Sequence, residues 1–424
     1  VTELGELFEE IAAAPAPPDG RPADELYEAG RRRYRRRMAV TGGALALGLA
    51  AVVGAAGVIA AGSYSSAPPP AATTVPAVGG DPRPGLASPL NEILWAGAAD
   101  ADHLYLSFLA CAPSSSCAGD TFDLVASDDG GRTWTVRSGG VAIHDWVVLG
   151  PRTLVGASRP AGTPFSTLTV SVDGGRTWSA ATQDPRPAPT VPAGEGVICW
   201  SSAVTSPSCE LYAVDPAAGR FAAIAAQPPI ALGPATVVLN VGGRLWVGGT
   251  DPVSGRPATA VSADAGRTWS VRVFTTVAGC SLGRCVAPEL STVDGRTAYA
   301  VVIDFQAGQR LVYRGVDSGG WEQVGAVSTG ENQRPGSNGK TFITTDGTLV
   351  VCEIVLESHQ PIGCRFWAAR GGASAYQQVT LDGLPAAVNS IRRTPDGWFY
   401  ANVSGDDLLY GSTDGWHWTP VTSK

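Results

Sequence analysis

Ser127, Asp129, Gly131, Thr133 and Trp134 stand in the stretch SDDGGRTW. The same types return in the same order at Ser171, Asp173, Gly175, Thr177 and Trp178, and again at Ser262, Asp264, Gly266, Thr268 and Trp269. A worn copy, STDGWHW, carries Ser412, Asp414 and Trp418. A hydroxyl two residues from a carboxylate could serve acid–base chemistry. The same short oxygens can also close a turn, because Asp and Ser side chains bond the backbone groups that a turn leaves open. An octapeptide used this often is either chemistry or architecture, and the elements around it decide which.

From about residue 90 the chain alternates short β-rich runs with Gly/Asp turns. HLYLSFL, TLVGAS, RLWVGGT, TAYAVVI, TLVVCEI and WFYANVS all read as strands, with no amphipathic helical pattern between them. The closing Trp sets a period. Trp134 to Trp178 is 44 residues, and Trp178 to Trp269 is 91, which is two periods around a degenerate unit, DPAAGRF, at Asp215 to Phe221. Trp321 follows after 52 residues, Tyr376 after 55 and Trp418 after 42. Such spacing matches a four-stranded propeller blade. The expected fold is an all-β propeller of seven blades. Six stays open, because the unit around Cys199 to Phe221 is short enough to lack a strand.

With that period in hand, the octapeptide resembles the Asp-box, or BNR, repeat S-x-D-x-G-x-T-W. The resemblance covers residues 90–424 and rests on three full matches at blade spacing. It implies that Ser-x-Asp ends one strand, that Gly131, Gly175 and Gly266 take positive φ, and that Thr-Trp opens the next strand. It also implies a hairpin between the two outer strands of a blade, away from the central channel. On this reading Asp129, Asp173, Asp264 and Asp414 are architecture and not catalytic carboxylates.

Asp-box propellers include sialidases, xyloglucanase-type endoglucanases, sortilin-like receptors and photosystem II assembly factors, so the fold leaves function open. A sialidase needs an Arg triad, with the first Arg in an F/Y-R-I-P segment opening the first blade. Here that blade opens SPLNEILWAG, without Arg. The look-alike RRTP, Arg392 to Pro395, falls in the last blade. RTAY (Arg296 to Tyr299) and RLVY (Arg310 to Tyr313) offer Arg and Tyr of a kind common on solvated strands. Two carboxylates facing one cleft would suffice for a glycosidase and leave no sequence signature. Asp102, Asp145, Asp304 and Asp396 read first as turn residues. The four His (103, 144, 359 and 417) are scattered, and His144-Asp145-Trp146 puts adjacent residues on opposite faces of a strand. No metal-ligand or phosphate-loop spacing occurs, so no metal and no cofactor is expected.

All eight Cys lie in the repeat region as close pairs: Cys111 with Cys117, Cys199 with Cys209, Cys280 with Cys285, and Cys352 with Cys364. Eight Cys allow 105 pairings, and each one has a neighbour in its own loop or hairpin. Local disulfides in an oxidising compartment are expected, stapling loops on one face of the propeller.

The remaining segments give an address. Residues 1–37 are polar and end in RRRYRRR; 38–62, MAVTGGALALGLAAVVGAAGVIAAG, hold no charge. At about 1.5 Å rise per residue this stretch spans a hydrocarbon core of about 30 Å. Six Arg precede it and the next basic residue is Arg83, which places the N-terminus in the cytoplasm and the C-terminal part outside. A cleaved signal peptide is the rival reading; the length of the apolar stretch favours a retained anchor. Leu4, Leu7, Phe8 and Ile11 make one short apolar stripe in the tail, read equally as a docking helix or as disordered chain. Residues 63–89 hold seven Pro and read as an extracytoplasmic stalk.

The 30 basic residues comprise 28 Arg and two Lys, Lys340 and Lys424, a bias expected of a GC-rich bacterial genome. The formal charge of −8 argues against a nucleic-acid partner. Together these readings predict a single-pass protein of the bacterial plasma membrane. Its propeller, at 90–424, is expected to bind an extracytoplasmic protein or glycan. Glycoside hydrolysis and envelope assembly are the alternatives.

Overall fold

The computed structural model describes residues 79–83 and, between 93 and 422, all but 110–121, 142, 159–165, 204–205, 207, 234–235, 278–285, 317–319, 329–339, 358–359, 370–374 and 404–407. The expected tail, the membrane helix at 38–62 and most of the stalk lie outside the described residues. So do Cys111 and Cys117, and so do Cys280 and Cys285, with the two disulfides expected of them. Among the described residues there is no helix, and hence none long and apolar enough to cross a membrane.

Seven four-stranded sheets form a seven-bladed propeller. The first blade is β1 (Ile93–Ala98), β2 (Leu104–Leu109), β3 (Phe122–Ser127) and β4 (Thr135–Val141). The second is β5 (Ile143–Gly150), β6 (Thr153–Ser158), β7 (Thr167–Ser171) and β8 (Ser179–Ala180). The third takes β9 (Thr182–Gln183), β10 (Gly196–Trp200), β11 (Glu210–Asp215) and β12 (Arg220–Ala223). The fourth is β13 (Val238–Val241), β14 (Arg244–Thr250), β15 (Pro257–Ser262) and β16 (Ser270–Val273). The fifth is β17 (Glu289–Thr292), β18 (Thr297–Asp304), β19 (Gln309–Val316) and β20 (Trp321–Ser328). The sixth is β21 (Phe342–Ile343), β22 (Leu349–Glu357), β23 (Gln360–Ala368) and β24 (Gln377–Val379). The seventh is β25 (Val388–Arg393), β26 (Phe399–Val403), β27 (Leu408–Ser412) and β28 (Thr419–Pro420).

The six runs read as strands from sequence fall on β2, β6, β14, β18, β22 and β26, each the second strand of its blade. That strand is flanked in its own sheet and covered on both faces by neighbouring blades. It therefore carries a near-continuous apolar run, as in β2, where Leu104 through Phe108 are all buried. Fourth strands such as β8 and β16 are mostly exposed and give no such signal. Apolar clusters seal the blades to one another. Leu106 and Phe108 pack with Tyr400 and Leu409 where first and seventh blades meet, and Val301 and Val312 pack with Leu349 and Val351 between the fifth and sixth.

The third blade departs from the others. Its order in space is β10-β11-β12-β9, and β9 runs parallel to β12. The strand that the short unit seemed to lack comes from upstream, and Asp215 to Phe221 is not a worn octapeptide but the turn from β11 into β12. The inner strand β10 also runs opposite to β5. Its first residue, Gly196, lies against Leu149 at the end of β5. Beyond its last residue, the carbonyl of Ser202 accepts from the amide of Ser166, which leads into β7 near the start of β5. Seven blades therefore stand, one of them with its rim strand supplied from upstream and its inner strand reversed in direction.

Among the described residues no strand is exchanged between the first and last blades. Instead residues 79–83 cross the junction. The amide of Gly79 donates to the carbonyl of Val421 at 3.2 Å, and that of Gly80 to the carbonyl of Gly131 at 2.8 Å. Pro82 is buried in the same seam. The foot of the expected stalk thus belongs to the folded domain.

Candidate functional site

The octapeptides sit between the third and fourth strands of the first, second, fourth and seventh blades, with Ser127, Ser171, Ser262 and Ser412 each closing its third strand. Ser127 Oγ accepts the amide of Gly131 at 2.8 Å and donates to Asp129 Oδ1 at 2.8 Å. Asp129 then accepts the amide of Thr133 at 2.9 Å and its hydroxyl at 2.7 Å. Ser171, Asp173, Gly175 and Thr177 repeat this pattern, as do Ser262, Asp264, Gly266 and Thr268. In the shortened copy His417 replaces the threonine, and Asp414 accepts its amide at 2.9 Å and contacts its Nδ1 at 2.6 Å. Gly131, Gly175 and Gly266 have φ of 85°, 86° and 90°, the left-handed region that a Cβ disfavours.

Both carboxylate oxygens are spent within each turn. The hydroxyl and amide of Thr268 hold Asp264 down at about 2. At Asp129 burial works the other way, yet the bonds from Thr133 and Ser127 together bring it to about 2. A carboxylate held ionised and saturated is poorly suited to proton transfer near neutrality. The tryptophans serve packing: Trp418 is buried and donates to the carbonyl of Gly415, and Trp269 donates to that of Ala226.

The same device recurs in the turns from first to second strand, at Asp346 and at Asp396, the latter an expected turn residue. Thr344 and Asp346 close one such turn onto Thr348, and Thr394 bonds Asp396 and the carbonyl of Trp398 in another. These turns share a face with the octapeptides, and the two sets are linked: the amide of Gly174 donates to the carbonyl of Arg152, and that of Thr345 to the carbonyl of Asp414. We term this the turn face. Of the other expected turn residues, Asp304 accepts the amides of Gln306 and Ala307, and Asp102 sits beside Asp100, which takes its amide at 2.9 Å. Asp145, expected in a turn, lies instead within β5 beside His144, where it pairs with Ala157 of β6; His359 is outside the described residues.

The opposite, loop face carries the connections from second to third strand and those between most blades. One of the two disulfides seen among the described residues lies at this face, and the other lies within a blade. Cys199–Cys209 closes the β10–β11 connection, which the reversed polarity of the third blade brings to this face. Cys352–Cys364 crosses the β22–β23 hairpin diagonally, since Cys352 lies opposite Phe366 and Cys364 opposite Ile354. Both are the local pairs expected. The other two expected links, Cys111 with Cys117 and Cys280 with Cys285, fall in segments outside the described residues.

At the loop-face ends of the fifth and sixth blades a charged cluster is buried. Arg310, expected on a solvated strand, is only 1% exposed, and its Nη1 lies 3.4 Å from Glu289 Oε1. The hydroxyl of Thr341 donates to Glu289 Oε2 at 2.5 Å, and Ser291 Oγ bonds the carbonyl of Thr341 at 2.8 Å. Lys340, beside them, is 9% exposed. Burial pushes its ammonium down to about 8; Glu289 opposes that and Arg310 adds to it. Arg310 escaped the sequence reading because an Arg close to a Tyr in a short β run is common on solvated strands, and nothing local in RLVY marks the Arg as buried.

A second feature lies on the turn face, where the second blade meets the reversed third. A cleft of about 390 Å³ is lined by Leu149, Pro151, Val172, Glu195, Asp215 and Pro216, among others. Partial burial and then the charge of Asp215 raise the pKa of Glu195, with Arg220 opposing. Neither acid had been singled out, because they come from segments that only the reversed blade brings together. Among the described residues no cluster of side chains is suited to hold a metal ion.

No family model matches the chain, and no curated protein matches it either. The propeller does occur among solved structures. The β-propeller domain of the Trilobed protease from Pyrococcus furiosus matches 78% of this chain and 98% of its own, at 6% identity and a TM-score of 0.46. One of two prolyl endopeptidases matches 77% of this chain and 48% of its own, at 12% identity and a TM-score of 0.49. The α-L-arabinanase of Penicillium chrysogenum, solved with arabinobiose, matches 72% of this chain and 85% of its own, at 15% identity and a TM-score of 0.37. The chain spans about half the length of the prolyl endopeptidase and, at 47%, of a GH74 enzyme. Likeness at these identities is one of fold.

Proposed function

We propose that this chain is a recognition propeller of the Asp-box type, held at the bacterial plasma membrane by residues 38–62, that binds an extracytoplasmic protein or glycan at its loop face. One observation carries the reading: the two faces are built differently. The turn face saturates its own polar atoms within and between turns, which leaves little for a partner. The loop face carries the longer connections, and a disulfide closes the one between β10 and β11. Shape-fixed loops on a rigid scaffold lower the ordering cost of binding. The disulfides also accord with an oxidising compartment, and Arg31 to Arg37 ahead of 38–62 accord with an outward-facing C-terminal domain.

A photo-crosslinking amino acid placed at exposed Ser202 on the loop face, and separately at exposed Val172 on the turn face, tests this in the full membrane-bound chain. Adducts from position 202 and none from 172 are expected; the reverse pattern would remove the proposal. Protease added to spheroplasts should digest the propeller and spare the tail, and a soluble product starting near Ser63 would replace the anchor with a cleaved signal.

A second reading, glycoside hydrolysis, is favoured by the paired acids Glu195 and Asp215 in one cleft. A carboxyl raised by partial burial, standing beside a second acid, is a pair of the kind such hydrolysis uses. Turnover of aryl glycosides that disappears in Glu195→Gln at unchanged melting temperature would establish it. Absence of turnover across pentosides, hexosides and uronides would remove it.

A further inference from the structure

The indole of Trp134 lacks the bond that its counterparts make. In the second and seventh blades the closing tryptophan donates to its own octapeptide glycine, Trp178 Nε1 to the carbonyl of Gly175 and Trp418 Nε1 to that of Gly415, each at 3.1 Å. In the fourth blade Trp269 Nε1 donates to the carbonyl of Ala226 at 2.7 Å. Trp134 Nε1 is buried and has no partner among the described residues. The corresponding acceptor, the carbonyl of Gly131, is taken by the amide of Gly80 at 2.8 Å. The ring is still at hand, since a Cβ on Gly131 would stand 3.5 Å from its Cζ2. Two donors thus meet one acceptor, and the one that reaches it comes from the segment crossing between the first and seventh blades. A buried donor left without an acceptor is costly, and that cost falls on the arrangement in which residues 79–83 are seated. The segment is also lightly held. Asp81 and Arg83 spend their charges on each other, with Arg83 Nε 2.7 Å from Asp81 Oδ1. What holds the segment to the blades, among the described residues, is two backbone bonds and the burial of Pro82.

We infer that residues 79–83 form a detachable strap, with the Trp134 indole as the alternative donor to Gly131. When the strap is seated, the amides of Gly79 and Gly80 bond Val421 and Gly131 and hold the seam between the seventh and first blades. When it is released, the carbonyl of Gly131 passes to Trp134, which restores the arrangement of the second and seventh blades. Val421 then loses its partner, and the seam loosens. The new indole bond offsets part of the cost of release, which brings the two arrangements close enough in free energy to exchange. Residues 1–78 reach the propeller only through Gly79, so a pull on that part of the chain acts first on the strap. The strap thereby couples whatever holds the N-terminal part to closure of the ring. This device is independent of what the loop face binds.

Hydrogen exchange at the amides of Gly79 and Gly80 in the full-length chain reads the released population. Benzothienylalanine in place of Trp134 keeps the bicyclic ring and lacks the N–H. It removes the orphan donor from the seated arrangement and the replacement bond from the released one. The strap amides should then exchange more slowly by about tenfold or more, the equivalent of one unsatisfied donor. The same replacement at Trp178, whose indole is bonded with the strap seated, should leave them unchanged. A second measurement frees the acceptor instead. Gly80→Pro removes the competing amide outright. In a chain labelled at its 12 tryptophans, the Trp134 indole proton should then move downfield, toward those of Trp178 and Trp418. Strap exchange that is unchanged or faster with benzothienylalanine at position 134 overturns the switch. So does a Trp134 indole signal that stays in place in Gly80→Pro.

Discussion

The amide of Gly80 donates to the carbonyl of Gly131 across 2.8 Å, joining the chain ahead of the first blade to that blade's octapeptide turn. Val421 of the last blade lies on the other side of the same crossing, bonded to Gly79. Among the described residues the first and last blades exchange no strand, and residues 79–83 bridge the seam between them.

Gly79→Ala should therefore loosen ring closure. A Cβ at Gly79 would stand 2.2 Å from the carbonyl oxygen of Gly131 and 2.3 Å from that of Val421. The backbone must shift, at about 1–3 kcal/mol by analogy with overpacked interiors. Gly233→Ala, with nothing within 4 Å of the new atom, is the control. Thermal melting should separate the two; equal melting temperatures would mean that the crossing contributes nothing to closure.

Asp173→Ala should cost about 1–3 kcal/mol by leaving the amide and hydroxyl of Thr177 without their acceptor. Loop-face binding should persist at temperatures where the variant is folded. Loss of binding at an unchanged melting temperature would return the octapeptide to the chemical reading.

Ala265 is the one non-glycine residue with positive φ among those described, at 57°, where the first two copies have Gly130 and Gly174. The left-handed region costs an L-residue about 1–2 kcal/mol. Ala265→Gly should raise the urea midpoint by a fraction of that, since glycine also gains freedom in the unfolded chain. A lowered midpoint would show that the Cβ contributes packing outweighing the strain.

The octapeptide carboxylates should make the propeller acid-sensitive in a defined window. The folded-state pKa of Asp264 is depressed to about 2 from 3.8, chiefly by Thr268. Its contribution is complete above 3.8 and is lost as pH falls toward about 2, where the folded form also takes the proton. Chemical denaturation followed from pH 5 downward should show this fall, and Asp264→Asn should flatten it. Identical slopes in variant and wild type would refute the assignment.

Non-reducing peptide mapping should find Cys199 linked to Cys209 and Cys352 to Cys364, and also Cys111 to Cys117 and Cys280 to Cys285. The link from Cys352 closes a loop with a sequence separation of 12, so the chain-entropy cost of its removal is just under the roughly 3 kcal/mol of a 15-residue loop. Free thiols, or links between blades, would undo the picture of locally stapled loops.

Much of this molecule is legible in its sequence because the determinants are local. Ser-x-Asp-x-Gly-x-Thr-Trp specifies a turn through bonds that span at most four residues. Second strands announce themselves by apolar runs, since both their faces are covered. Cys199 and Cys209, like Cys352 and Cys364, are near neighbours in the chain before they are neighbours in space. What tertiary structure alone decided depends on which blade lies beside which. Asp215 to Phe221 passed for a worn octapeptide because composition does not encode strand direction. Only the structure shows that β9 pairs parallel with β12 at the rim and that β10 runs opposite to β5, and that reversal brings Glu195 to Asp215. Arg310, between Gln309 and Leu311, has no local mark of burial, and it is buried where blades pack together. Lys340 and Glu289 are 51 positions apart, and no periodicity links them. Packing one blade against the next is what brings their charges together.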